Sequence, residues 1–410
     1  MEDKKRDRKL KATKADENSP KFAASLLKKV KVIAVRTSGG YHILCNATRI
    51  PAVKRLREII GSERRPLSVM FKTLTSAQKL ILLSPKERDL LRREDAPLVV
   101  AKLKRLHKIE RANYKYTLNN YINPLNNRIA LSLPSDDFYE ALFKEILFPI
   151  VSIDATTPEG EIITTREVLD AVYGDAFVRV IDYAESISPK RREALQIVYG
   201  QVRPVSAHCM QEADCMLETK KGRIFDHHFR PLRLLHDVSG HEQPPYTALS
   251  MLFAKLPLED ILSLDLAFEK TEIKRLHHLW EEGLETVESD SLLTLYDGIA
   301  GVCRLTTRKT FETESLCRAE AFFEVCEEDL FDFEIDGEMI AIDIISEFCR
   351  NDSPKHLFST LTNTVSSIIA TLAKAQGRES VTLCGRLFGY RDLAELTIEK
   401  LHAEGIAVEW

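Results

Sequence analysis

The sequence predicts an α/β protein whose first half alternates strands and helices and whose second half is mostly helical. Three observations carry this. Short β-branched runs alternate with helically spaced segments over residues 21–205. From 225 to 410, apolar residues recur mainly at three- and four-residue spacing. A polar stretch at 206–224 separates the two and reads as a linker, while the charged segment 1–20 lacks apolar periodicity and reads as a disordered basic arm.

The elements follow in order. Residues 32–35 (V-I-A-V) form a buried strand, and Arg36-Thr37-Ser38-Gly39-Gly40 then turns the chain. The two glycines allow a tight turn or a close approach to a ligand. Residues 41–44 make a second strand. Val53, Leu56, Ile59 and Ile60 lie at helical spacing, and 65–70 return to a strand. Helices are expected at 76–83, 85–93 and 136–146, and strands at 97–101, 129–133 and 149–153. In the second half helices are expected near 246–255, 273–284, 292–302, 312–326 and 357–375. Strand 381–384, helix 391–403 and strand 406–409 follow.

Net charge is −4, but the first third is rich in Lys and Arg while 259–343 is acidic. An anionic ligand therefore suits the N-terminal half. No apolar run approaches the roughly 20 residues that span a bilayer, and no membrane association is expected. Eight scattered cysteines without a C-x-x-C, and no signal-like apolar segment, suggest reduced thiols and a cytoplasmic protein.

The segment from Arg36 to Met70 resembles the YrdC-like domain of HypF, the carbamoyltransferase of hydrogenase maturation. That family carries I-K-G-L-G-G-F-H-L-A-C-D-A-T, a helix with Leu-Arg, and K-P-F-A-V-M. The matching positions are Arg36, Gly39, Gly40, Tyr41, His42, Cys45, Asn46, Ala47, Thr48, Leu56, Arg57, Arg65, Pro66, Val69 and Met70. Later segments continue the match, through Ala96-Pro97, Pro149-Ile150-Val151 and Arg166-Glu167. The second half resembles the end of HypF's other catalytic module, of actin- and sugar-kinase-like fold. There Leu295-Tyr296-Asp297 stands for L-F-D, Phe311-Glu312 for Y-E, and Leu383-Cys384-Gly385-Arg386 for L-S-G-G. The resemblance implies a YrdC-like twisted-sheet domain at 21–205 and a truncated kinase-like domain at 225–410.

It also implies a basic cleft that takes a nucleotide or RNA, with ATP or another adenine nucleotide as ligand. Arg36, Ser38, Gly39, Gly40, His42, Thr48 and Arg65 are the expected nucleotide- or anion-binding residues; no catalytic residue is assigned. Hydrogenase-maturation proteins are the implied partners. The family's Lys-x-Arg pair falls near Ile60 and Ser62, its T-S-G-N is replaced by Ile153-Asp154-Ala155-Thr156, and its H-H-x-A-H has no counterpart. The expected form is thus a degenerate or accessory factor. The alternatives are an active carbamoyltransferase or threonylcarbamoyl-adenylate synthase, and a non-catalytic interaction scaffold.

Other clusters read more plainly. His208, Cys209, Cys215, His227, His228, His236 and His241 match no common zinc spacing, and no metal is expected. Asp297 reads either as a carboxylate facing a nucleotide cleft or as a surface or capping group. Cys384 reads as a buried, inert thiol.

Overall fold

A computed structural model describes residues 17–93, 98–104, 117–158, 161–183, 203–204, 209–211, 215–218, 224–236, 243–324, 329–348, 353–375, 377, 379–383 and 386–409. Most of the expected basic arm, and His208, His241, Cys384 and Gly385, lie outside them. The chain divides into two compact units, 1–196 and 197–410.

The first unit opens with helix α1 (Pro20–Lys28), which the periodicity reading missed. Its signal is local: Ser19 caps it by accepting the Phe22 N–H at 3.1 Å, and Pro20 sits in the first turn. β1 (Ile33–Thr37) and β2 (Gly40–Asn46) form a hairpin, followed by α2 (Ile50–Ile59) and β3 (Val69–Met70). Next come α3 (Leu74–Gln78), α4 (Pro85–Leu91), β4 (Val99–Lys102), β5 (Arg128–Ser132), α5 (Asp137–Glu145), β6 (Ile150–Asp154), α6 (Arg166–Tyr173) and β7 (Val180–Asp182). The expected helix at 76–83 stops early. Ile81 bridges to Leu103 and the Leu82 N–H donates to Lys102 O at 2.8 Å, so a strand edge takes the backbone that a longer helix would need.

The seven strands run β4-β5-β3-β6-β2-β1-β7 in a mixed sheet. Alternation along each strand sends side chains to opposite faces. Ala34, Tyr41, Ile43 and Val69 join the core under α2 and α4. Ile33, Val35, Leu44 and Met70 join Ala23, Leu27, Phe138 and Leu142 of α1 and α5 on the other face.

Arg57 of α2 is only 5 % exposed. Its guanidinium donates to Tyr121 O from Nε (2.9 Å) and Nη2 (2.6 Å), to Ser62 O from Nη1 (3.2 Å) and to Ile122 O from Nη2 (3.2 Å). Burial lowers its pKa to about 10. This arginine therefore ties loops to the helix rather than waiting for a ligand. Arg57→Ala is expected to cost on the order of 3 kcal/mol, because several carbonyls lose their donor at once. Urea unfolding would show it, and a loss below about 1 kcal/mol would refute the role.

The second unit contains more β-structure than the sequence suggested. β8 (Arg203–Pro204), β9 (Cys209–Gln211), β12 (Leu232–Leu235) and β13 (Thr286–Ser289) make one four-stranded sheet. β10 (Cys215–Glu218), β11 (Ile224–Phe229), β14 (Asp332–Asp336) and β15 (Met339–Asp343) make another. β9 and β10 thus occupy part of the stretch expected as a linker. Their shortness hid them, because strands of three and four residues leave no periodic side-chain pattern. The β14–β15 hairpin was missed as well, although D-F-E-I-D alternates with period two and Gly337 has φ +60° in a two-residue loop. The helical core is built from α7 (Pro244–Lys255), α8 (Lys270–Glu281), α9 (Leu292–Val302), α10 (Glu314–Phe322), α11 (Pro354–Ala375) and α12 (Arg391–Ala403). Among the described residues, no helix is long and apolar enough to cross a membrane.

Candidate functional site

Arg36 lies near the C-terminal end of β1, where Tyr41 of β2 and Asp182 of β7 are its cross-strand neighbours. Asp182 would be its natural counter-ion, but both of that carboxylate's oxygens are engaged elsewhere. The Tyr41 hydroxyl donates to Oδ1, and Arg166 Nη1 approaches Oδ2 at 3.5 Å. Arg166 is held in turn by Asp170, with Nε 2.9 Å from both carboxylate oxygens. Burial and the Asp182 bond together push the Tyr41 hydroxyl pKa well up, so Tyr41 stays a neutral donor. Arg36 is left half-buried, its Nε enclosed and without a hydrogen-bond partner among the described residues.

Arg65 is exposed in the loop before β3 and anchors only its backbone, the N–H donating to Ser62 Oγ at 3.3 Å. It reaches the sheet from the same end as Arg36, because β3 runs antiparallel to β6, β6 to β2 and β2 to β1.

The Gly-Gly turn serves the chain itself. Gly40 has φ +115°, and a Cβ there would stand 2.9 Å from Ile162 Cγ2 and 3.0 Å from Ile163 O. The adjacent Tyr41 N–H donates to Ile163 O at 2.9 Å. Gly40 thus makes room for residues 162–163. Ser38 is exposed at the tip, and Gly39 is half-buried, its N–H donating to Thr37 Oγ1 at 3.3 Å.

The seven expected residues do not converge. Arg36, Ser38, Gly39 and Gly40 gather at the hairpin end, and Arg65 approaches that end. His42 pairs with Val35 and points to the opposite face from Arg36, against Tyr139 of α5. Thr48 lies past the far end of β2, where its N–H (3.0 Å) and hydroxyl (2.7 Å) donate to Asn46 Oδ1. A one-residue change of parity and the length of a strand separate residues that a linear motif lists together. Sequence reasoning gave Asp182 no role, since a three-residue strand leaves almost no periodic signal.

In the second unit Asp297 is 3 % exposed on α9, so it is neither a surface group nor a cap. Ser315 Oγ donates to its Oδ1 at 2.6 Å, and the Lys309 ammonium contacts Oδ2. Burial pushes its pKa up while Lys309 and Ser315 oppose that shift; the net direction is upward. Glu314, fully buried, accepts from Thr310 N–H (2.9 Å), Thr310 Oγ1 (3.0 Å) and Arg318 Nη2 (3.2 Å). The loop before α10 is thereby strapped onto α9 by groups that neutralise one another. Of the histidine cluster, His227 and His228 lie on β11, while His236 follows β12 in the other sheet.

Comparison with known proteins agrees with this architecture. Residues 25–203 match the Sua5/YciO/YrdC family model, described as "Telomere recombination". Residues 216–410 match "Carbamoyltransferase, Kae1-like Domain, second subdomain" of HypF. These define the class: a YrdC-like domain followed by a Kae1-like carbamoyltransferase subdomain. The chain is a HypF-like protein. It is 27% identical over 188 residues to carbamoyltransferase HypF of Synechocystis, covering 44% of this chain but only 22% of that relative's length. Full-length HypF in a phosphate- and nucleotide-bound form has the same fold, with TM-score 0.70 and 16% identity over 95% of this chain and 83% of that one. T. kodakarensis HypF gives TM-score 0.68 and 14% identity over 94% and 70%.

Proposed function

We propose that this HypF-like protein binds a phosphate-bearing ligand, an adenine nucleotide foremost, at the hairpin end of its first sheet. On this reading it acts as an accessory, degenerate factor in cytoplasmic hydrogenase maturation. The observation that carries the reading is the state of Arg36: a half-buried guanidinium whose neighbouring carboxylate is already committed to Tyr41 and Arg166. A guanidinium with no ion pair among the described residues favours a planar, two-oxygen anion. Arg65 adds a second, exposed positive group on the same end. A solved relative described in a phosphate- and nucleotide-bound form is consistent with this ligand class. A point site of this kind suits a single nucleotide better than an extended RNA, which needs a track of cations.

The degenerate part of the proposal draws on the second unit. The carboxylate of Asp297 is held by Lys309 and Ser315 of its own chain, which favours a closed interior over an open cleft. If that interior is closed throughout, the protein serves its partners by contact rather than by group transfer.

Calorimetric titration of ATP into the full chain tests the reading. Arg36→Glu is expected to abolish binding, and Arg65→Glu to weaken it by about tenfold, since each reverses a charge near the phosphates. Wild-type protein that releases no heat with ATP, or an Arg36→Glu variant with unchanged affinity, would remove the proposal. Pyrophosphate release with carbamoyl phosphate, or with threonine and bicarbonate, would show an active enzyme and overturn the degenerate reading alone.

A further inference from the structure

Arg36 and Asp182 are opposite charges on adjacent strands, yet they do not pair. Tyr41 of β2 and Asp182 of β7 flank Arg36 of β1 in register, so the three side chains leave the same face of the sheet. Opposite charges in such positions ordinarily attract one another. Here Asp182 Oδ1 accepts from the Tyr41 hydroxyl instead, through a bond that reaches from β2 across β1 to β7. Arg36 Nε is enclosed there without a hydrogen-bond partner among the described residues.

Two groups hold Asp182 in that state, and they are not equal. Arg166 Nη1 stands 3.5 Å from Oδ2, but the same guanidinium is shared with Asp170, both of whose oxygens lie 2.9 Å from its Nε. The Tyr41 hydroxyl is not shared: Asp182 is its partner among the described residues. The Tyr41 ring is fully buried in the core under α2 and α4, which fixes where the hydroxyl points. The Asp182 side chain is 39% exposed, so packing does not hold it in place. Once the hydroxyl is gone, the carboxylate can turn towards the guanidinium beside it.

We propose that Tyr41 is a positioning residue: its hydroxyl holds Asp182 off Arg36 and so keeps that guanidinium open to an anion. It acts through Asp182 and not on a ligand. Without the hydroxyl, Asp182 pairs with Arg36 and competes with a phosphate for the same donors. The pairing is a property of the chain alone, whereas its consequence for ligands rests on the anion site proposed above at Arg36.

Two measurements on the full chain keep these apart. Without ligand, the chain is labelled with ¹⁵N-arginine, and the Arg36 Nε–H signal is assigned by its loss in Arg36→Lys. Tyr41→Phe keeps the buried ring and is expected to shift that signal as Asp182 closes on Arg36. Adding Asp182→Asn should bring the signal back, which it would not do if Tyr41 merely shaped the core. With ligand, ATP is titrated by calorimetry, and Tyr41→Phe should weaken binding about tenfold. Asp182→Asn should then regain about tenfold in the Tyr41→Phe background, but about twofold or less in the wild type, where the carboxylate acts only through a screened field. An Arg36 signal unmoved by Tyr41→Phe overturns the proposal, whether or not ATP binds. So does an equal gain from Asp182→Asn in both backgrounds. Wild-type protein that binds no ATP but shows both Arg36 shifts would remove the ligand reading and support the positioning role.

Discussion

Gly301→Ala is expected to disrupt the helical core of the second unit, although the exchange adds a single methyl group. On propensity alone, alanine should gain roughly 1 kcal/mol inside a helix. Packing reverses the sign. A Cβ at 301 would lie 2.0 Å from Pro244 O, 2.4 Å from Pro244 C and 3.0 Å from Ala248 Cβ. The first two are backbone atoms, so no rotamer change relieves the contact, and α7 and α9 must move apart. Overpacking commonly costs about 1–3 kcal/mol, and a backbone clash of this depth belongs at or above the top of that range. Gly298 provides the comparison. Its closest neighbour is Met251 Sδ at 2.4 Å, on a flexible side chain that can swing away, so Gly298→Ala should cost less. Thermal unfolding of both variants checks this. A Gly301→Ala protein as stable as wild type would show that the two helices are not held at the distance described.

Asp297→Ala carries the second large effect. The aspartate accepts from Ser315 and pairs with Lys309, whose side chain is 16% exposed. Removing it strands an ammonium in the interior, and breaking one side of a buried ion pair costs about 3–5 kcal/mol. Replacing both charges with apolar side chains of similar size should cost far less, because neither group then needs solvation. The expected results are a strongly destabilised Asp297→Ala, a similarly destabilised Lys309→Met, and a double variant Asp297→Leu/Lys309→Met that recovers most of the loss. Urea denaturation measures all three. Additive losses in the double variant would mean that the two groups act separately and that the strap onto α9 is not an ion pair.

How much of this could be read from the chain varies from element to element. The β1–β2 hairpin, α2 and α9 follow from apolar runs, helical spacing and turn residues, which are local signals of seven to eleven residues or of a turn between two strands. β7, β9 and β10 do not, since two to four residues of backbone pairing leave no side-chain pattern. The hairpin-end residues stand together in sequence and in space. His42 and Thr48 share the same motif but not the same place, as strand parity and strand length carry them away. Asp182 and Arg166 complete the surroundings of Arg36 from far along the chain, and nothing local announces them.

By itself the sequence determined the family resemblance, the α/β character of the first half and the concentration of positive charge there. Those are properties of residue type and order, which local physics can read. Only the tertiary structure decided which charges remain uncompensated. Whether Arg36 or Asp297 finds a partner depends on Asp182 and Lys309, and distance through space, not along the chain, sets the strength of an electrostatic interaction.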